Sequence, residues 1–237
     1  MKSIGATFIS KADWYVDSHI LQALVAEGCA SNAFMKSLFD ILVRKGAKLY
    51  VTPGVIEEVL YHFDEADKRS PEKCGDFYST ALSLLKDKYN FFLDGFINCM
   101  ARGDVASYQQ YSKRINRVIT NRLRAVLMKY GIKEVRIDLE SAEYKRRFEE
   151  TIKVVDKIRR KKNREEPNQL KVKTDAEIYV AVTQKEDEYV RCGISRKVYF
   201  LSHSTMFDRV ERTLKRWTDY ALYRVIQSLP NENAPTM

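Results

Sequence analysis

Hydrophobic positions along the chain follow two rhythms, and the switches between them mark the elements. Asp13 to Val16 (DWYV) is a short, apolar, β-prone run that closes on Asp17. Ile20, Leu21, Leu24 and Val25 then recur at helical spacing as far as Gly28. A second helical stripe, Phe34, Leu38, Ile41 and Leu42, runs from about Ala33 to Arg44 and ends on Lys45-Gly46. Cations in the last turn and a glycine after it are the expected helix stop. AKLYV reads as a second strand, and TPGVIEEVLYHF as the helix that follows it. Thr52 is its natural N-cap and Pro53 suits its first position, while Val55, Ile56, Val59, Leu60 and Phe63 make its buried stripe.

From about Ser70 to Tyr130 the pattern is helical and aromatic-rich, broken at Arg102-Gly103-Asp104. EVRIDL alternates like a strand; Ser141, Tyr144, Phe148, Ile152 and Val155 open a long basic helix that ends in the polar run IRRKKNREEPNQ. Thr174 can cap a further helix through Asp175, Ile178, Tyr179 and Ala181. VYFLS is the last strand, Glu211 to Leu229 a terminal helix, and the polar, proline-broken PNENAPTM a disordered tail. Strands separated by helices predict an α/β fold with a parallel sheet covered on both faces. Such sheets place their functional crevice beyond the carboxyl ends of the strands. Asp17 stands there, Glu58 lies on the helix after the second strand, and Ser202 to Ser204 follow the last.

Composition narrows the class. The 237 residues, 45% hydrophobic and 31% charged, suit one large globular domain or a domain with an insertion. No apolar run nears the roughly 20 residues needed to span a bilayer, and MKSIGATFISKADW lacks a secretory apolar region, so no membrane partner is expected. Cys29, Cys74, Cys99 and Cys192 are scattered without a CxxC pair, which points to free thiols and a cytoplasmic location. The formal charge of +9 is concentrated. Ala101 to Thr174 holds 21 Lys/Arg against 10 Asp/Glu, while the rest of the chain is slightly acidic. A patch of that kind attracts nucleic-acid phosphates, although long helices also carry solvated basic faces.

The acidic positions and their order resemble the PIN domain family. Asp17-Ser18 after a strand resembles its Asp-Thr-Asn opening, with His19 where the family has asparagine. TPGVIEEV is similar to its strand–helix segment and selects Glu58 over Glu57; TDAEI resembles its Asp-Ala-x-Ile helix start and gives Asp175. VYFLSHS resembles the final strand and Thr/Ser-x-Asp turn, with Ser204 where an aspartate is expected and Met206 at another position that is often acidic. The resemblance implies a three-layer fold around a mostly parallel sheet, over residues 1–229, with a helical insertion at about 70–130 and the tail at 230–237. It implies an endoribonuclease in which Asp17, Glu58 and Asp175 hold Mg²⁺ or Mn²⁺ and Ser204 adds a weaker polar contact. The metal would polarise an RNA phosphodiester and lower the pKa of the attacking water. Hard oxygen ligands suit such ions. DNA is a possible substrate, and the alternative is a PIN-like module without catalysis that binds RNA or a protein partner, as a whole protein or within a larger parent chain.

Each acid also has a plainer reading. Asp17 can be a helix cap, Glu58 an exposed helical carboxylate with Glu57 either the solvated residue or the ligand, and Asp175 a favourable charge at a helix N-terminus. Ser202 can orient Asp17 or Asp175; His62 and His203 lack partners at metal-ligand spacing, and Trp14 reads as core. Arg114, Arg117, Arg122 and Arg124 lie on the cationic side of an amphipathic helix, and Arg160 and Lys161 close another. These six are the expected RNA contacts. Tyr108 and Tyr111 can either stack on unpaired bases or pack inside the protein.

Overall fold

The computed structural model describes residues 9–70, 90–116, 119–162, 166–202 and 206–214. Four strands, β1 (Ala12–Val16), β2 (Lys48–Val51), β3 (Lys133–Glu134) and β4 (Lys197–Leu201), form one parallel sheet in the order β3-β2-β1-β4. Around it the described residues form α1 (Ser18–Val25), α2 (Asn32–Arg44), α3 (Pro53–Lys68), α4 (Phe91–Ala101), α5 (Tyr108–Asn116), α6 (Ile119–Lys129), α7 (Ala142–Lys162), α8 (Gln169–Arg191) and α9 (Met206–Leu214). All five residues of β1 are buried. Alternate residues of a strand face opposite sides, so both faces of the sheet centre are covered.

The pattern located most of these elements from local chemistry. Gly46 takes φ 75°, the left-handed conformation that ends α2 and turns the chain into β2. Pro53 stands in the first turn of α3, and Thr52 holds the N-cap position, though its hydroxyl makes no capping hydrogen bond.

Three expectations need correction. EVRIDL pairs only at its start: Tyr50 lies opposite Lys133 and Val51 opposite Glu134, after which β2 ends. Val135 N–H donates to Val51 C=O at 2.8 Å, and beyond it no strand among the described residues extends the ladder. Second, the helix expected to start at Thr174 starts at Gln169. Asn168 accepts a hydrogen bond from Leu170 N–H at 2.9 Å and outcompetes the later threonine as cap. Thr174 instead donates its hydroxyl to Gly54 C=O at 3.1 Å. Third, the last described helix begins at Met206 rather than Glu211. Residues 71–89 of the expected insertion, the end of the terminal helix and the tail lie outside the described residues.

The main core runs from β1, β2 and β4 through α1 to α6, and a second cluster (Tyr144, Val155, Val172, Tyr179, Val180, Met206, Val210) joins α7, α8 and α9. α7 and α8 form an antiparallel hairpin stapled at both ends, by Arg147 to Asp187 at 2.7 Å and by Arg159 to Asp175 at 2.6 Å. Among the described residues no helix is long and apolar enough to cross a membrane.

Candidate active site

The chain leaves β1 toward β2 and β3 on one side and returns to β4 on the other, which makes the β1–β4 edge a topological switch point. Val16 lies opposite Leu201, so the residues after the two strands, Asp17 and Ser202, emerge side by side. Ser202 donates its hydroxyl to Asp17 Oδ2, and the N–H of Asp17 donates to Leu201 C=O at 3.0 Å. Oδ1 accepts from Ser18 N–H at 2.7 Å. Asp17 is therefore both the cap of α1 and a carboxylate fixed at the switch point; the two readings of its role coexist.

Glu58 is 3% exposed on the inner face of α3, whereas its neighbour Glu57 points outward. The helix that carries it is held close to α8 by Gly54. Gly54 N–H donates to Glu177 Oε2 at 2.7 Å while Gly54 C=O accepts from Thr174. A Cβ at position 54 would stand 2.4 Å from Glu177 Oε2 and 3.3 Å from Thr174 Cα. A side chain at 54 would push these neighbours apart, and near this contact each helix carries a buried carboxylate: Glu58, one turn beyond Gly54 on α3, and Asp175, next to Thr174 on α8.

Asp175 is the most perturbed of the three. Burial pushes its carboxyl up to about 7 against the pull of Arg159, and the negative charges of Asp17 and Glu58 push the same way. Those couplings tie together acids that are far apart in sequence. An Arg–Asp pair is not by itself a site, since Arg147 and Asp187 make one at the other end of the hairpin. Asp175 differs in being buried where the charges of two further carboxylates, Asp17 and Glu58, act on it.

Two cations stand among the acids that the residue pattern did not single out. Arg159 donates to Asp175 Oδ2 through Nε at 2.9 Å and through Nη2 at 2.6 Å. Lys171 lies 4.0 Å from Glu58 Oε1 and is electrostatically coupled to Glu58, Arg159, Asp175 and Asp17. Burial lowers its pKa, and the acids oppose that. His62, one turn after Glu58, places Nε2 at 3.6 Å from the same Oε1, and His19 lies beyond it with ring centroids 6.5 Å apart. Burial pushes Glu58 up, yet His62, Lys171 and His19 outweigh it and leave its carboxyl below the ordinary value. A sequence signal for Lys171 existed: it precedes Asp175 by four residues, one helical turn. Recognising it required knowing that the helix starts at Gln169.

The donor set of Asp17, Glu58 and Asp175 is all oxygen and matches a hard divalent ion. In the arrangement described, Lys171 and Arg159 take the carboxylates instead. Among the described residues no group of three or more His, Cys, Asp or Glu is arranged so as to hold a metal ion. Ser204 and His203 lie outside the described residues.

The expected RNA contacts are dispersed. Arg114 and Arg122 converge on Glu27 at 3.4 and 3.0 Å, and Arg122 also donates to Val25 C=O at 2.8 Å. Arg160 pairs with Asp156 at 2.7 Å, Arg124 and Lys161 are exposed, and Arg117 is outside the described residues. Tyr108 and Tyr111 are each 1% exposed and pack on Phe96, so they are core.

Compared with protein-family models, curated proteins and solved structures, the chain matches none. The functional reading therefore rests on the residues and their geometry.

Proposed function

We propose that the protein is a PIN-like, divalent-metal-dependent endoribonuclease acting at the carboxyl end of β1 and β4. The observation that carries this reading is that Asp17, Glu58 and Asp175 are all buried, with Asp17 fixed at the switch point of a parallel sheet and the charges of Asp17 and Glu58 both acting on the Asp175 carboxyl. Burying three acids together is unfavourable for folding alone. Mg²⁺ or Mn²⁺ held by these three would supply Lewis acidity for phosphodiester hydrolysis. The chain's own contribution is preorganisation. Ser18 N–H and Ser202 fix Asp17, and the Gly54 contact fixes the approach of Glu58 to Asp175. RNA is the partner, reached through exposed cations such as Arg124 and Lys161, in a cytoplasmic setting where Cys29 and Cys99 stay free.

A second reading has an observation in its favour. With Lys171 and Arg159 already among the acids, the site is partly neutralised without any metal, as suits a PIN-like module that binds RNA or a protein partner and does not cleave. End-labelled single-stranded RNA and DNA incubated with Mn²⁺, Mg²⁺ or EDTA separate the two. The nuclease reading expects metal-dependent cleavage of RNA by the wild type and none by Asp17→Asn or Asp175→Asn. RNA binding without cleavage, unchanged in both variants, would select the second reading.

A further inference from the structure

We propose that Lys153, Lys157 and Lys161, on the outward side of α7, form a docking row for the phosphate backbone of a single-stranded nucleic acid, apart from the acid cluster. This rests on the RNA-partner reading above and says where the strand lies. The arginines of α7 are already engaged: Arg146, Arg147, Arg159 and Arg160 each have an acid at 2.6–3.9 Å. The three lysines are exposed, and among the described residues none has an acid at ion-pair distance. Asp156, the acid that falls between them in sequence, is taken by Arg160 at 2.7 Å. Spaced four residues apart, the lysines stand on one side of the helix in steps of about 6 Å, so each can meet a successive phosphate of one extended strand. Helix stability does not account for them. The favourable field at a helix C-terminus reaches only the last turn, which includes Lys161 but not Lys153 or Lys157. Like charges one turn apart oppose the helix. Tyr144, Arg147, Thr151 and Val155 form the buried side of α7, and Arg159 turns toward Asp175, so the row faces away from the acids. The occupant is a nucleic acid rather than a protein because α7 exposes charge alone. None of the exposed large apolar side chains among the described residues lies on it, whereas protein interfaces are built around an apolar and aromatic centre. Exposed Glu149, one turn before Lys153, repels a phosphate and ends the row.

The test is fluorescence anisotropy of the full chain with labelled oligouridylate across a salt series. The row variant carries Lys153→Gln, Lys157→Gln and Lys161→Gln together. A control with Lys48→Gln, Lys133→Gln and Lys145→Gln, at exposed positions outside the row, loses the same charge. The row variant is expected to lose affinity by about 30-fold or more at low salt and to reduce the magnitude of the salt slope by about 2, at about 0.7 for each single-strand phosphate contact. The control is expected to stay within about threefold of wild type, because salt screens charges remote from the strand. Lys153→Arg, Lys157→Arg and Lys161→Arg together keep the charge and are expected to bind as wild type does. Equal losses in the row and control variants would overturn the row and reduce binding to net charge. Wild type that binds no oligonucleotide would overturn the RNA partner itself, and the row with it. Labelled polyglutamate bound by wild type more tightly than oligouridylate, and released in the row variant, would assign the row to an acidic protein segment instead. Lysines that meet phosphates do not sense the 2′-OH, so the row variant is expected to lose oligothymidylate by the same factor, and a loss confined to RNA would overturn the phosphate contact. Should the glutamine variant not fold, acylation of wild type by an amine-directed reagent, read by mass spectrometry, decides. Oligouridylate is expected to slow modification of Lys153, Lys157 and Lys161 relative to Lys145, and equal protection of all four would overturn the proposal.

Discussion

At the scale of single residues, the cluster is defined by how each acid is compensated. Asp17 is compensated by hydrogen bonds from Ser18 and Ser202, Glu58 by His62 and Lys171, and Asp175 by its two hydrogen bonds from Arg159 against heavy burial. The consequence is a pH dependence whose sign is fixed. A carboxyl raised from 3.8 to about 7 on folding binds its proton more tightly in the native state. Its contribution to stability is present below about pH 4 and is lost as pH rises toward 7, with a slope of at most about 1.4 kcal/mol per pH unit. His62, lowered by burial, works in the opposite sense, losing stability as pH falls. A comparison with Asp175→Asn isolates the aspartate, because the amide is neutral throughout. In urea unfolding with EDTA at pH 5 and pH 8, wild type is expected to lose stability relative to Asp175→Asn at the higher pH. A difference that stays constant between the two would mean that the carboxyl is not perturbed.

At the scale of elements, the strand–helix alternation was legible because each boundary carries its own chemistry: Asp17 after DWYV, Pro53 after KLYV, Gly46 after α2. The lysine and arginine of the site were not, because Arg159 and Lys171 come together only through the hairpin of α7 and α8. The start of α8 was displaced by two competing caps, Asn168 and Thr174. EVRIDL misled for a related reason, since alternation records a half-buried surface while a strand also needs a partner of matching length. Gly54 shows how far a single element contact sets the site. Gly54→Ala brings a methyl group to 3.3 Å from Thr174 Cα and forces Glu177 out of its hydrogen bond. It is expected to cost about 1–3 kcal/mol by overpacking, read by urea unfolding. It is also expected to lower whatever metal affinity the site has, since α3 and α8 separate. Glu177→Gln, which keeps the volume and an acceptor, is expected to cost less, and a reversal of that order would show that the close approach of the helices is not what matters.

For the whole molecule, the net charge of +9 does not translate into one binding face. Arg114 and Arg122 spend their charge on Glu27, and Arg122 satisfies Val25 C=O at the end of α1, tying α6 to the first helix of the sheet layer. Arg160 is paired with Asp156 along α7. Cations used internally do not release counter-ions when a nucleic acid binds, so the basic segment should act through a subset of its residues. Arg122→Ala removes the donor to Val25 C=O and leaves Glu27 with Arg114 as its remaining ion-pair partner, and is expected to destabilise by about 1–3 kcal/mol with little effect on RNA affinity. Arg124→Ala and Lys161→Ala, at exposed positions, are expected to change stability by no more than about 0.5 kcal/mol. Each is expected to weaken RNA binding and to reduce the magnitude of the salt slope by about 0.7 for a single-stranded ligand. Fluorescence anisotropy with labelled RNA across a salt series measures both quantities for all three variants. If Arg122→Ala shed affinity while Arg124→Ala and Lys161→Ala left the slope unchanged, the division between structural and solvent-facing cations would be wrong, and Glu27 would have to release its arginines when RNA binds.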